Sequence, residues 1–276
     1  LSRGLGDVYK RQIGNNTYHV WLIKRSDTGV VDVLASLSAT HSGTCTMTIA
    51  SPCVVTFASH GLQIGSSFEF STTGALPTGV TAGTTYYVIS TSFGVDSFQF
   101  STSQGGAAVN TSGSQSGTHT LTHKPIMPAN YDYKRRIGSI IRTGAANVGF
   151  EQSWLYFAKK TPTLDINTST SGTSATTRTM TIPVGVPVRV SVMPKTWSGT
   201  TNYVRLTSFD ETDSAPTDGT SAAPYNEGNY DGTTMYGVRT LVRSNRAAQI
   251  RSRNTNNADL RIYCYGWEDF KLMEGL

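Results

Sequence analysis

Charge is what this chain has least of. Asp, Glu, Lys and Arg make up 15% of its 276 residues, and between His41 and His123 only Glu69 and Asp96 are charged. That stretch is instead crowded with Thr, Ser and Gly, while the sequence on either side is ordinary globular text. Ser36-Leu37-Ser38-Ala39-Thr40 breaks off, and Lys124-Pro125-Ile126-Met127-Pro128 resumes it. The pattern is that of a self-contained β module set into a loop of another β domain, because loop tips tolerate insertions. Cysteine is nearly absent. Cys45, Cys53 and Cys264 give no Cys-x-x-Cys and no disulfide framework, although Cys45 and Cys53 could face each other across a hairpin. No apolar run has the length of a membrane span, and no segment sustains helical periodicity. A Gly-x-Ser-x-Gly elbow, a phosphate loop and a dinucleotide fingerprint are all missing.

What is present reads as β structure. Hydrophobic residues at 37% and aromatics at 10% suffice for a core, and the length suits two domains. Tyr18 to Lys24, a turn at Asp27-Thr28-Gly29, and Val30 to Leu34 make a hairpin. In the charge-poor stretch, strand signals recur at short spacing: Thr44 to Ile49, Cys53 to Phe57, Ser67 to Phe70, Thr85 to Ile89, Ser97 to Phe100 and Thr118 to Thr122. Phe68 with Phe70, and Phe98 with Phe100, alternate onto one face and are expected core anchors. Further strands are expected at Tyr131 to Arg142, Ser153 to Ala158, Val184 to Val192, Tyr203 to Thr207, Met235 to Val242, Ala247 to Arg253 and Leu260 to Trp267. Pro187 places the run Val184 to Val192 at an edge or a strand start. Asp210 to Tyr230 reads as a long polar loop.

The opening residues have a different origin. Ser2 to Gln12 match, residue for residue, the translation of a DNA string resembling a sequencing-library adapter that ends in a transposase recognition end. They are excluded from fold reasoning. The expectation is that Ile13 lies within a longer protein. Of the net charge of +5, Arg3, Lys10 and Arg11 against Asp7 supply +2, which leaves +3. That is a weak electrostatic case for nucleic acid.

Candidates for chemistry are few. His119 and His123 are four apart, a spacing of roughly 13 Å along a strand and too long for one metal ion. His60 reads as a turn residue and His19 as part of an alternating strand, so all five histidines are expected to be structural or solvated. Asp210-Glu211-Thr212-Asp213 with Asp218-Gly219 is oxygen-rich, but its spacing is not that of a calcium loop. Acids are too scarce to reveal a glycosidase pair; Glu151 beside Trp154 is the most plausible single carboxyl. The arginines Arg239, Arg243, Arg246, Arg251, Arg253 and Arg261, with Lys134-Arg135-Arg136, interleave with Tyr236, Tyr263 and Tyr265. Stacking on nucleic acid is one reading, and cross-strand pairing on a β surface is the plainer one. Trp197, Tyr225, Tyr230 and Tyr236, set among Gly and Asn, are candidate glycan contacts, against the plainer alternative that they cap core edges.

The same segments carry two resemblances. Tyr18 to Lys24, Asp27 to Leu34, Met127 to Tyr131 and Lys134 to Ser139 resemble a β-rich module of tailed-bacteriophage tail and tail-fibre proteins. The closing runs Ala248 to Arg253, Leu260 to Tyr263 and Gly266-Trp267 are similar to the end of that module. His60-Gly61-Leu62, Gly74 to Gly79, Ala82 to Val88 and Ser97 to Phe100 resemble a small repeat-type β domain of phage structural proteins. The resemblance implies a virion component with no catalytic residues and no cofactor. Its expected partners are other virion proteins, with a homotrimer by tail-fibre analogy. The expected fold is all-β: residues 1–12 adapter-derived, 13–40 plus 124–276 a split β-sandwich or jelly-roll-like body, and 41–123 an inserted small β domain. The alternative function is a carbohydrate-binding adhesin module for host surface glycan; no membrane is expected, and nucleic acid is disfavoured.

Overall fold

The computed structural model describes residues 14–197, 202–216, 227–230, 235–236 and 238–270, the short segments 227–230 and 235–236 by their main chain. Within them the fold is all-β, with no α-helix. Strand β1 (Thr17–Arg25) turns through Gly29 into β2 (Val31–Ser36), and the chain then leaves for the charge-poor stretch. There, β3 (His41–Met47), β4 (Val55–Thr56), β5 (Ser67–Thr72), β6 (Thr85–Val88), β7 (Ser97–Phe98), β8 (Phe100–Ser101) and β9 (His119–His123) pair only with one another. They form one sheet in the order β7-β4-β3-β9-β5-β6-β8. Its core is aromatic. Phe68 packs edge-on to Phe70, Phe98 and Phe100, with ring centroids 5.2, 5.4 and 5.9 Å away, and all four rings are fully buried. Edge-to-face packing of this kind adds to the gain from burial.

The chain returns as β10 (Tyr131–Thr143) and β11 (Ala146–Asn147), completing a four-stranded sheet in the order β11-β10-β1-β2. Thus β1 and β10, more than 100 residues apart, are direct neighbours from Thr17↔Ile141 to Arg25↔Tyr131. The remaining strands are β12 (Phe150–Ser153), β13 (Tyr156–Thr168), β14 (Thr176–Thr179), β15 (Arg189–Trp197), β16 (Asn202–Thr207), β17 (Glu227–Tyr230), β18 (Met235–Tyr236), β19 (Thr240–Arg243), β20 (Gln249–Asn254) and β21 (Asp259–Glu268). They make two five-stranded antiparallel sheets, β12-β13-β21-β15-β19 and β14-β20-β16-β17-β18. Val190, Val192, Leu260 and Ile262 of the first share one core with Val204, Leu206 and Ile250 of the second. Trp267 stacks on Phe157 at 5.2 Å, and Phe150 meets both rings edge-on.

Several expectations change. The expected polar loop Asp210 to Tyr230 ends in strand β17, and the expected strand Met235 to Val242 divides into β18 and β19 on different sheets. The run Ser153 to Ala158 is not one strand but a hairpin, β12 to β13. Trp154 sits at its tip with φ 56° and 83% of its surface exposed. An apolar run does not reveal a positive-φ turn when the turn residue is itself aromatic. The first part of the body also adds no strand to the sandwich. With β10 and β11 it forms a separate sheet; Ile141 of β10, and Ala39 in the link to the insert, join the sandwich core. Cys45 and Cys53 are both buried and unbonded; burial pushes the Cys45 thiol up to about 11.

The inserted sheet sits tightly against the rest. Gly61 has φ +62°, and a Cβ built there would stand 2.6 Å from the Arg246 carbonyl oxygen. Gly83 has φ +72° and open space around it. Gly83→Ala should lower stability only by the backbone term of about 1 kcal/mol, and Gly61→Ala by about 2–4 kcal/mol. Denaturant midpoints of the two variants check this; equal losses would mean that Gly61 does not pack against the sandwich.

Candidate functional site

The two ends of the insert meet as a histidine pair. His41 opens β3, His123 closes β9, and the two are Cα partners in the ladder. Their rings lie edge-on at 5.5 Å, and His41 is 5.4 Å from the Phe57 ring. No ring nitrogen of either has a hydrogen-bond partner. His60 Nδ1 accepts from the Leu62 amide, which leaves Nε2 to donate to the Gly94 carbonyl. His19 Nδ1 lies 3.0 Å from Ser139 Oγ. Arg136 donates to that same oxygen, so the serine proton is free to point at His19.

All four rings are held neutral. Burial pushes His19 down to about 3, with the Arg136 charge adding to it. Burial brings His41 to about 4, aided by Arg246 and His60. Burial also lowers His60, against the pull of Gly94 and Asp96, and holds His123 well below its usual value with His41, His19 and His60 around it. Desolvation disfavours the charged imidazolium, and nearby cations reinforce the effect.

Beside this pair opens a cleft of about 550 Å³, bounded by all three parts of the molecule. The four-stranded sheet gives it Trp21, Lys134 and Arg136; the insert gives His41; the sandwich gives Pro187 and Arg246. Among the described residues no carboxylate lines it. Arg136 is neutralised from behind by a buried two-pronged pair with Asp269, at 2.6 and 2.7 Å. Lys134 and Arg246 have no acid within ion-pair distance among the described residues. Arg246 is half-buried, and its main chain is fixed: its carbonyl accepts from the Gly185 amide at 2.8 Å, and Gly61 packs against it. Burial, with Arg243 nearby, lowers its affinity for the proton. The cleft therefore holds an uncompensated positive potential over a partly apolar wall.

The arginines singled out in the sequence sort into two groups. Arg243 pairs with Asp210 and Arg253 with Asp213. Arg239 lies over Tyr156 and Tyr265, Arg251 over Phe209, and Arg261 over Trp197 at 4.6 Å. Of these, Arg261 on Trp197 is the cross-strand kind that the β pattern suggests, whereas Asp210, Asp213 and Phe209 lie in the stretch after β16. Arg246 and Lys134 remain, and they meet at the cleft. Arg135 touches the same rim, but it pairs with Leu22 on the opposite face of the sheet from Trp21.

The other candidates stay dispersed. Asp210 and Asp213 are occupied by their arginines, and Glu211 accepts from the Ser208 amide. Among the described residues no group of three His, Cys, Asp or Glu is placed to hold a metal ion. Asp218 lies outside the described residues. His119 bonds Thr72 and Gln115. Glu151 is exposed on β12. Of the glycan candidates, Trp197 ends β15, half-buried, with the Arg261 guanidinium on its ring. Tyr230 is the Cα partner of Asn202, whose side chain bonds Thr196 next to Trp197. Tyr236 pairs with Asn229 in the edge strand β18. Tyr225 lies outside the described residues. The convergence of His19, His41, His60 and His123 was not legible in the sequence; the one signal was that His41 and His123 bracket the charge-poor stretch.

Comparison with protein-family models, with curated proteins and with solved structures finds no match to this chain.

The neutral histidines set a pH response. Their folded-state proton affinity is depressed, so the stability they confer is complete above their ordinary value of about 6.5 and is lost as pH falls below it towards 4. Between pH 7 and pH 5, a histidine held neutral by burial should remove about 2 kcal/mol of stability. Urea unfolding at those two pH values checks it. Equal midpoints would show that the seam histidines titrate freely.

Proposed function

We propose that this chain is a structural component of a tailed-bacteriophage virion, part of a tail fibre or a similar host-facing appendage, which works by β-sheet assembly. The resemblances at both ends of the body and within the insert support this reading. The observation that carries the assembly part is the outer face of the four-stranded sheet. Val31 and Val33 on β2 are 53% and 51% exposed, and Leu22 beside them on β1 and Tyr133 on β10 are 40% and 61% exposed. The strand β2 is also the open edge of that sheet. This largely apolar face, which also carries Lys24 and Arg135, lies beside an unpaired edge, and exposed apolar surface next to an open edge favours association. A second and third copy of the chain are its natural occupants in a symmetric appendage.

Residues 13–276, freed of the adapter-derived segment, should run in light scattering after gel filtration at three times the chain mass. Val31→Lys with Val33→Lys should shift the distribution towards monomer without loss of fold. A wild-type monomer at all concentrations would overturn the self-assembly part of the reading.

A second reading, an adhesin module holding host glycan near Trp197, is favoured by the register that brings β17, and with it Tyr230, beside Asn202 and Thr196. Trp197→Ala should then weaken binding to host cells or glycan arrays about tenfold or more. Undiminished binding would remove this site.

A further inference from the structure

We propose that the cleft between the four-stranded sheet, the base of the insert and the sandwich is a binding site for a compact acidic saccharide, a sugar bearing a carboxylate or a phosphate. The inference goes beyond the assembly reading and does not depend on it.

The first observation is electrostatic. Lys134 and Arg246 line one cleft of about 550 Å³ with no carboxylate in its walls. Elsewhere on the sandwich, several arginines of this chain are answered by an acid or an aromatic ring, as with Arg243 and Asp210, Arg253 and Asp213, or Arg261 and Trp197, and Arg178 and Arg205 by serine or carbonyl oxygens. A half-buried guanidinium with no counter-ion is unfavourable in the empty protein, because it has lost part of its hydration without gaining a partner. An anion supplied from outside restores that balance, and a guanidinium offers carboxylate or phosphate a two-pronged contact.

The second observation is placement. The Arg246 main chain is fixed by Gly185 and Gly61, so the side chain springs from a rigid rim. Trp21 Nε1 and both ring nitrogens of His41, in residues lining the same cleft, have no hydrogen-bond partner. These atoms are buried behind the wall, and a side-chain shift would bring them within reach of a ligand carrying hydroxyls.

The third is shape and lining. The volume falls in the range of small-molecule sites, which are largely apolar with a few placed polar groups. Trp21, Val186 and Pro187 give the apolar part, and the hydroxyls of Thr40 and Ser42 give the polar part. Such mixed walls suit the two-sided surface of a sugar ring. A nucleic-acid backbone needs a track of cations at the spacing of its phosphates. Here the arginines beyond the cleft are occupied, so there is no track for a strand to follow.

The test is calorimetric titration of residues 13–276, at low salt and pH 7, with glucuronate, N-acetylneuraminate, glucose 6-phosphate, glucose, inorganic phosphate and a single-stranded oligonucleotide. At least one acidic sugar should bind with a Kd of about 1 mM or tighter, and glucose at least about tenfold more weakly. Which acidic sugar binds separates carboxylate from phosphate recognition. Arg246→Gln should weaken the acidic sugar about tenfold or more, Lys134→Gln less, and Arg261→Gln not at all. Without ligand, Arg246→Gln should melt at the same temperature as wild type or higher, because the guanidinium it removes has no partner to lose. A fall in melting temperature would show that Arg246 is structural and would overturn its role. Glucose binding as well as glucuronate, inorganic phosphate binding as well as any sugar acid, or no sugar acid binding up to about 20 mM would each overturn the proposal. So would an oligonucleotide that outcompetes the sugar acids, which would mark the cleft as a nucleic-acid contact.

Discussion

Gln63 reaches out of the inserted sheet and occupies the place where a neighbouring strand would lie. Its Oε1 accepts from the Thr17 amide at 2.7 Å, and its Nε2 donates to the Thr17 carbonyl at 2.8 Å and to the Leu37 carbonyl at 3.2 Å. The Thr17 hydroxyl in turn accepts from the Val184 amide of the sandwich. Gln63 and Thr17 thus join all three parts of the molecule, and the Thr17 amide and carbonyl and the Leu37 carbonyl find partners at this point. A buried donor or acceptor left unpaired costs about 1–3 kcal/mol, so a loop cannot be opened for an insert unless the insert repairs the hydrogen bonds it displaces. Ser38 and Ser67 continue the repair, with Ser67 donating to the Lys124 carbonyl where the chain returns.

The dry seam explains the chemistry around it. Once the insert closes on the body, His19, His41, His60 and His123 lose water, and only their neutral forms are compatible with Arg136 and Arg246 nearby. Asp269 meets Arg136, but among the described residues no acid meets Arg246, so the seam ends in a cleft of net positive charge. The surface far from the seam is different in kind. On the four-stranded sheet the outward residues include Leu22, Val31, Val33 and Tyr133, with Lys24 and Arg135 among them. On the sandwich, arginine stacks on aromatic rings and pairs with acids, which suits a self-sufficient solvated face.

Local pattern carried the strands, and it carried them well where alternation was clean. Tyr18 to Lys24 and Leu260 to Trp267 lie within β1 and β21, and Phe68, Phe70, Phe98 and Phe100 are the buried anchors of the inserted sheet. Pattern failed where a turn residue was hydrophobic, as at Trp154. It also could not divide the body, because the partner of β1 is β10, beyond the whole insert. The cleft was legible only in fragments. Lys134 and Arg246 stood out among many basic residues, but nothing in the order of residues says which arginines will find acids. The histidines read as unrelated because their meeting depends on three sheets packing together. His41 and His123 were the exception in principle, since an insert's two ends must lie close to each other.

The seam's repair is the claim on which the rest depends, and amide hydrogen exchange at Thr17, Val184 and Ser67 tests it most directly. The account predicts that these amides, none of them in a strand interior, are protected as strongly as those of β1 and β21, and that Gln63→Ala exposes Thr17 and Val184 together. Exchange of the Thr17 amide at the rate of an open loop in the intact protein would mean that the insert hangs free, and that the cleft and the neutral histidines have no fixed seam behind them.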